Sequence, residues 1–220
     1  MLRPTYSSAI RRLGHCALSL LPLVAGCAAQ QGVIAGRVVL APVTRPAMAL
    51  PPGVARDPRA AVVYLETIPE ALARRLRMTP GPDAVVIDQG SGGFSPAVAA
   101  VAVGGTIVYR NHDRVFHQAF ARADADSFDT GQYRPGETRS VSVREAARFP
   151  VFCAIHPGEL GVVIVTPTRV LAQPGRDGRF RLPALPFGHY ELHAWHPAYG
   201  EIRRQVELRD ARGARIELGF

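Results

Sequence analysis

Three residues with metal-binding side chains lie close together in the stretch FPVFCAIHPGELGVVIV. His156 follows Cys153 by three residues, and Glu159 comes three residues after that. A thiolate and an imidazole at this spacing could share one metal ion, because Cys153 ends a predicted strand, His156 lies in the loop that follows, and Pro157 stiffens that turn. The alternative is that Cys153 is a small core residue and His156 belongs to a surface loop.

A second cysteine, Cys16, lies in a predicted export signal at the start of the chain. Arg3, Arg11 and Arg12 precede the apolar run CALSLLPLVAG, which contains Cys16. This run is short for a membrane span but typical of the apolar region of a secretory signal, so we predict a signal peptide over residues 1-26. An exported protein keeps a lone thiol in an oxidising compartment if the thiol is buried or bound to a metal.

The end of the predicted signal, LVAGC, resembles a bacterial lipobox, with Val24 where the commonest motif has Leu. The resemblance implies that Cys27 becomes the lipid-modified first residue of the mature protein. Ala28 follows it in place of an acidic sorting signal, so we expect a periplasmic protein anchored to a Gram-negative outer membrane. Ordinary cleavage near GCAAQ is the alternative.

The composition favours strands and argues against nucleic-acid binding. The 21 Gly and 19 Pro are scattered along the 220 residues and divide them into short runs, which indicates an all-β protein. The formal net charge is +8, and loss of the predicted signal leaves +5. The arginines are spread out without the clustering or aromatic interleaving of a nucleic-acid surface, so we expect no nucleic-acid partner.

The middle of the chain consists of short alternating or β-branched runs bounded by Gly and Pro. This pattern predicts strands in a two-sheet sandwich. The predicted strands are AVVID, AVAAVAV, TIVYRN, HQAFA, RSVSV, FPVFCAI and GVVIV.

Residues 82-166 resemble the cupredoxins. The resemblance rests on FSPAVAAVAVGGTIVYRNHDRVFHQAF, FDTGQY, a G-E-T turn and VFCAIHP, in that order, and it is closest to amicyanin-like and methylamine-utilisation-type periplasmic proteins. It implies a Greek-key β-sandwich that binds one copper ion through His117, Cys153 and His156. A soft thiolate with two imidazoles also suits an ion that changes oxidation state with little rearrangement.

Two positions depart from the cupredoxin pattern. The family's axial ligand is Met, and Glu159 stands in its place. We expect Glu159 to be an axial carboxylate ligand, which would favour Cu(II). The alternatives are that Glu159 turns to solvent and leaves a three-coordinate copper, or that the site binds another metal. Gln118 replaces an Asn that ties the ligand loops together in the family, and whether Gln118 does the same is left open.

The two ends of the chain resemble halves of one domain. RDGRFRLPALPFGHYELHAWHPAYGEIRRQVELRD resembles the carboxypeptidase regulatory-like, or transthyretin-like, sandwich, and VIAGRVVLAP with RAAVVYLE resembles its first strands. Residues 31-78 and 167-220 are therefore expected to form a second small sandwich into which the cupredoxin is inserted. Ile68, Leu72 and Leu76 have helical spacing and predict a short packing helix.

The other histidines are not expected to bind copper. His112 lies at odd separation from His117 along a strand, so the two should face opposite ways. His189 and His193 share a strand face but are about 13 Å apart, too far to share a metal. We expect His112 to lie in a loop, and we expect packing or surface contacts for His189, His193 and His196.

These observations favour a lipid-anchored electron carrier that holds copper and passes single electrons to a redox partner protein. One alternative is a copper-handling protein for storage or delivery. Another is an interaction module without metal. No catalytic constellation is evident, since a C-x-x-H turn offers neither a clear base nor an oxyanion hole, so we expect no enzyme activity.

Overall fold

The computed structural model describes residues 30–42, 46–78, 84–123 and 126–220. The predicted signal peptide and Cys27 lie outside the described residues. The regular secondary structure of the described residues is mostly β-strand, as the composition predicted. Their strands are β1 (Gln31–Gly32), β2 (Ile34–Val39), β3 (Val62–Leu65), β4 (Ala84–Gly90), β5 (Gly93–Ser95), β6 (Val98–Ala102), β7 (Thr106–Asn111), β8 (Ala119–Ala121), β9 (Phe128–Asp129), β10 (Thr138–Ser142), β11 (Ala147–Cys153), β12 (Leu160–Thr166), β13 (Leu171–Ala172), β14 (Arg179–Arg181), β15 (Leu185–Pro186), β16 (Gly188–His196), β17 (Gly200–Leu208) and β18 (Ala214–Gly219).

The middle of the chain forms a sandwich of two sheets. One sheet has the strand order β10-β7-β4-β5 and the other has the order β6-β12-β11-β8-β9. Alternate side chains of β7 and β11 point into the core between the sheets, because successive residues of a strand face opposite ways. This core includes Ile107, Tyr109, Phe149 and Val151.

The strands at the two ends of the chain pair with each other. Strand β2 lies between β14 and β18, while β3 lies between β13 and β16, which also pairs with β17. The two sheets enclose a separate core with Ile34, Leu65, Leu192 and Leu218 among its fully buried residues. The assignment of this terminal sandwich to the carboxypeptidase regulatory-like family, with boundaries at 31-78 and 167-220, stays a prediction.

The two sandwiches are stacked through a third apolar cluster. Val162 and Ile164 of β12 pack there with Val62 of β3 and Trp195 of β16. Strand β12 therefore has an apolar layer on both faces, which explains why GVVIV is a continuous apolar run where an alternating pattern would leave one face exposed to water. Arg148 of β11 lies over the Trp195 ring, 5.6 Å from its centroid.

The predicted helix forms as α1, Glu70–Met78, with Leu72 buried against the core of the terminal strands. Ile68 precedes the helix but packs against the same core. No described helix has the length and apolar character needed to cross a membrane.

Strand β5 was not predicted, because GSGGFSP has the composition of a turn. Gly93 adopts a φ of 88°, which turns the chain back so that Ser95 pairs with Asp88 of β4. Phe94 is buried in the central core as a result. This hairpin brings the Gly93 backbone beside the Glu159 side chain.

Candidate metal centre

Cys153 reaches the core face through the alternation of β11. Phe149, Val151 and Cys153 occupy every second position and are all buried, with Cys153 7% exposed. Its backbone N–H donates to the Glu159 carbonyl at 3.3 Å. Cys153 forms no disulfide, so its thiol, at the end of a core strand and at the rim of the sandwich, is available to bind a metal.

His117 is positioned by backbone and side-chain hydrogen bonds just before β8. Its N–H donates to the Tyr133 carbonyl at 3.2 Å, and the Tyr133 N–H donates back to its carbonyl at 2.9 Å. The buried Asn111 amide donates to the carbonyls of Val115 and Tyr133. The ring is fully buried, with Nε2 3.4 Å from the Asp113 carboxylate and Nδ1 directed away from it. A carboxylate on the far nitrogen fixes the ring orientation that a metal ligand needs.

His156 and Glu159 come from the loop after β11. The Glu159 N–H donates to the His156 carbonyl at 3.4 Å, and Gly158 between them has a φ of 91° that closes this turn. Ala154 ties the loop to the His117 segment, because its N–H donates to the Gln118 carbonyl at 2.9 Å. His156 remains one-third exposed while Glu159 is mostly buried.

The four predicted site residues converge on one point. The Cys153 Sγ lies 3.7 Å from His117 Nδ1 and 3.6 Å from His156 Nδ1, and the two nitrogens are 3.1 Å apart. The Glu159 carboxylate lies 3.3 Å from each nitrogen. All four donor atoms lie within 4.8 Å of one another.

These separations fit donors arranged around a single metal ion. Metal–nitrogen bonds of about 2.0 Å and metal–sulfur bonds of about 2.3 Å, at trigonal or tetrahedral angles, place neighbouring donors roughly 3.3 to 3.8 Å apart. The sulfur–nitrogen separations fall in this range and the nitrogen pair is slightly closer. One thiolate with two imidazoles is the donor set of copper electron-transfer sites, and the carboxylate adds a harder fourth donor.

Glu159 points into the cluster, although the sequence left its direction open. Gln89 of β4 donates from Nε2 to the Glu159 carboxylate at 2.7 Å, and the Tyr133 hydroxyl donates to the other side of the same amide. Gln89 is fully buried. The sequence analysis did not identify Gln89. Its position as a polar residue on the core-facing side of an alternating strand could have indicated a role at the site.

The environment of the cluster affects two nearby groups. Burial raises the pKa of Tyr133, and the negative charges of Cys153 and Glu159 raise it further, so its hydroxyl remains a donor to Gln89. The hydrogen bond from the Arg114 N–H lowers the pKa of the Asp113 carboxyl, and the contact with His117 lowers it further. The Asp113 carboxylate therefore remains an acceptor for the His117 ring.

Two neighbouring residues lie outside the cluster. The Gln118 side chain donates to Asp129 at 2.8 and 2.9 Å, so only the main chain of Gln118 links the ligand loops. His112 is exposed and lies 3.2 Å from Asp88, consistent with the expectation that it belongs to a loop.

Comparison with solved structures finds cupredoxins. A purple cupredoxin from Nitrosopumilus maritimus is 21% identical over 37% of this chain and 99% of its own, with a TM-score of 0.34. A Cu(I) form of an amicyanin variant is 22% identical over 39% and 84%, and a reduced amicyanin variant is 21% identical over 48% and 98%, each with a TM-score of 0.36. No protein-family model and no curated protein matches the chain.

Proposed function

We propose that this protein binds one copper ion and carries single electrons between redox proteins. The observation that supports the proposal is the convergence of Cys153 Sγ with the Nδ1 atoms of His117 and His156 at a buried point of the central sandwich. Copper would supply the one-electron change between Cu(I) and Cu(II). The chain's own residues hold the donors in place and bury His117 and Cys153.

A constrained cluster suits electron transfer because little has to move when the charge changes. The bonds from Asn111 and Tyr133 fix the segment that carries His117, and Asp113 orients its ring. Gln89 fixes the carboxylate of Glu159. The Cys153 thiol is held by a strand of the core rather than by a flexible loop.

The surface beside the cluster suits a protein partner. The ring of His156 is one-third exposed, and Val115 and Phe116, which directly precede His117, are 47% and 46% exposed. Apolar side chains around a partly exposed ligand allow close approach of a partner without strong binding. We propose that the unidentified redox partner docks here, and that the protein is not an enzyme.

The test is titration of the purified protein with Cu(II), followed by visible absorption and metal analysis. We expect one copper ion per chain and an intense thiolate-to-copper charge-transfer band. Copper binding without this band would overturn the electron-carrier proposal in favour of copper storage or delivery. Failure to bind copper would favour an interaction module without metal.

Replacement of Glu159 by Gln or Met is expected to raise the reduction potential and keep the charge-transfer band. Each variant removes a negative charge beside the cluster, and two unit charges 4 Å apart interact by about 4 kcal/mol at an effective dielectric of 20. We expect a rise of about 60 mV or more, where 59 mV is a tenfold change for one electron. An unchanged potential in both variants, measured by redox titration, would show that the Glu159 carboxylate does not interact with the metal.

We further propose that lipid on Cys27 anchors the mature protein to the periplasmic side of the outer membrane. The lipobox-like LVAGC supports this anchor, although it lies outside the described residues. The intact mass of the protein from the membrane fraction should exceed that of the mature chain by the lipid. An unmodified protein in the soluble periplasm would remove the anchor.

A further inference from the structure

A second group of metal-binding side chains lies on the terminal sandwich, around His193. Strand β16 carries Glu191 and His193 on the same face, and Glu66 directly follows β3, the neighbouring strand. His193 Nε2 lies 3.0 Å from the Glu191 carboxylate and 3.2 Å from that of Glu66. The His193 side chain is 1% exposed, whereas both carboxylates reach solvent.

The other nitrogen of the His193 ring already has a partner. Nδ1 lies 3.0 Å from the Glu201 carboxylate, which also receives a hydrogen bond from Tyr64 at 2.7 Å and an ion pair from Arg148 at 2.8 Å. Glu201 is therefore a fixed, ionised acceptor, and the ring donates to it from Nδ1. This carboxylate–histidine arrangement is the one that orients metal-ligating imidazoles.

The buried Nε2 atom faces two carboxylates, which repel each other across it. An imidazole nitrogen beside carboxylate oxygens is a donor set for a divalent cation. Among the described residues, Arg148 pairs with Glu201, and Arg203 lies within 4 Å of Glu191 and Glu201. A metal ion at Nε2 would engage all three donors.

We propose that Glu66, Glu191 and His193 form a second metal site, for a divalent cation of the Zn²⁺ class. Zinc–nitrogen and zinc–oxygen bonds of about 2.0 to 2.2 Å place tetrahedral donors roughly 3.3 Å apart, close to the separations at His193. One imidazole and two carboxylates without a thiolate favour Zn²⁺ over a copper ion that changes oxidation state. Gln205 donates to the outer oxygen of Glu191 at 2.9 Å, which leaves its other oxygen facing the ring.

This site is separate from the Cys153 cluster. Arg148, which borders the His193 group, lies five residues before Cys153 in β11, and five residues of a strand extend about 17 Å. A cation here would join the end of β3 to the middle of β16. Its proposed role is to stabilise the pairing of the N-terminal and C-terminal strands, independently of electron transfer.

The test is the Zn²⁺ stoichiometry of the metal-free full chain, measured by native mass spectrometry and by elemental analysis after dialysis. We expect Glu66→Gln and Glu191→Gln each to bind one Zn²⁺ fewer than the unaltered chain, or to bind it at least tenfold more weakly. Both side chains are partly exposed, so these variants should fold. Anomalous diffraction at the zinc edge should place the ion beside His193.

Glu207→Gln is the matched control. Glu207 faces His189 at 3.8 Å on the same pair of strands and belongs to no group of three donors in the described residues. The Glu207→Gln variant should bind as much Zn²⁺ as the unaltered chain. Equal stoichiometry and affinity in all four proteins would overturn the proposal. Because the comparison counts the ion lost at Glu66 and Glu191, its result does not depend on copper binding at Cys153.

Discussion

Cys153→Ser is expected to abolish the charge-transfer band of the Cu(II)-loaded protein completely. The Sγ atom is the sulfur donor of the cluster, and it lies within 3.7 Å of both histidine nitrogens. A serine hydroxyl is a hard donor that cannot supply thiolate-to-copper charge transfer. Serine is close to cysteine in size, so β11 should keep its packing. Visible absorption at equal copper occupancy measures the effect, and thermal unfolding checks the fold.

His112→Gln is the matched control for the Cys153 variant. His112 is an exposed histidine that pairs with Asp88 and lies outside the cluster, so the band should keep its position and intensity. A band that persists in Cys153→Ser would show that another group binds the copper. Loss of the band in His112→Gln would show that the ligand set is wrong.

Local parts of the candidate site could be predicted from the sequence because they lie in one short segment. The sequence predicted that Cys153 ends a strand and that the turn stiffened by Pro157 brings His156 back to the same ion, and β11 does end at Cys153. His117 is 36 residues away from Cys153. Its inclusion came from the cupredoxin resemblance, since no periodicity links a residue to a partner that far along the chain.

The direction of Glu159 could not be predicted, because it depends on a contact between distant residues. Gln89, which holds the carboxylate, is 70 residues earlier in the chain. The hairpin through Gly93, which brings that part of the sandwich beside Glu159, was missed as well. The omissions of Gln89 and of this hairpin have one physical origin: turn composition and local alternation do not specify which strands become neighbours.

The environment of His193 shows the same limit. The sequence predicted that His193 and His189 share a strand face but lie too far apart to share a metal ion. Two of the three carboxylates around His193, however, lie outside β16. Glu66 comes from the end of β3 and Glu201 from β17. Only the pairing of β16 with both strands brings these carboxylates to one imidazole.

Gly36→Ala is expected to lower the stability of the protein more than any other substitution proposed here. Gly36 lies in β2 between Phe180 of β14 and Ile216 of β18. A methyl group at this position would lie 2.0 Å from the Ile216 carbonyl oxygen and 2.9 Å from the Phe180 ring. The oxygen belongs to a paired strand and cannot move without disturbing the sheet, so we expect the free energy of unfolding to fall by about 3 kcal/mol. Denaturant titration followed by circular dichroism measures it.

Gly219→Ala in β18 separates this steric effect from the general effect of replacing a strand glycine. Gly219 lies in the same sheet, pairs with Val39 of β2, and has no atom within 4 Å of an added methyl group. Its replacement should leave stability unchanged or raise it by about 0.4 to 1 kcal/mol, because alanine restricts the unfolded chain. The two substitutions are chemically identical and differ in the space that the paired strands leave. Equal stability of the two variants would mean that β2 does not lie between β14 and β18, and the sandwich built from both chain ends would have to be abandoned.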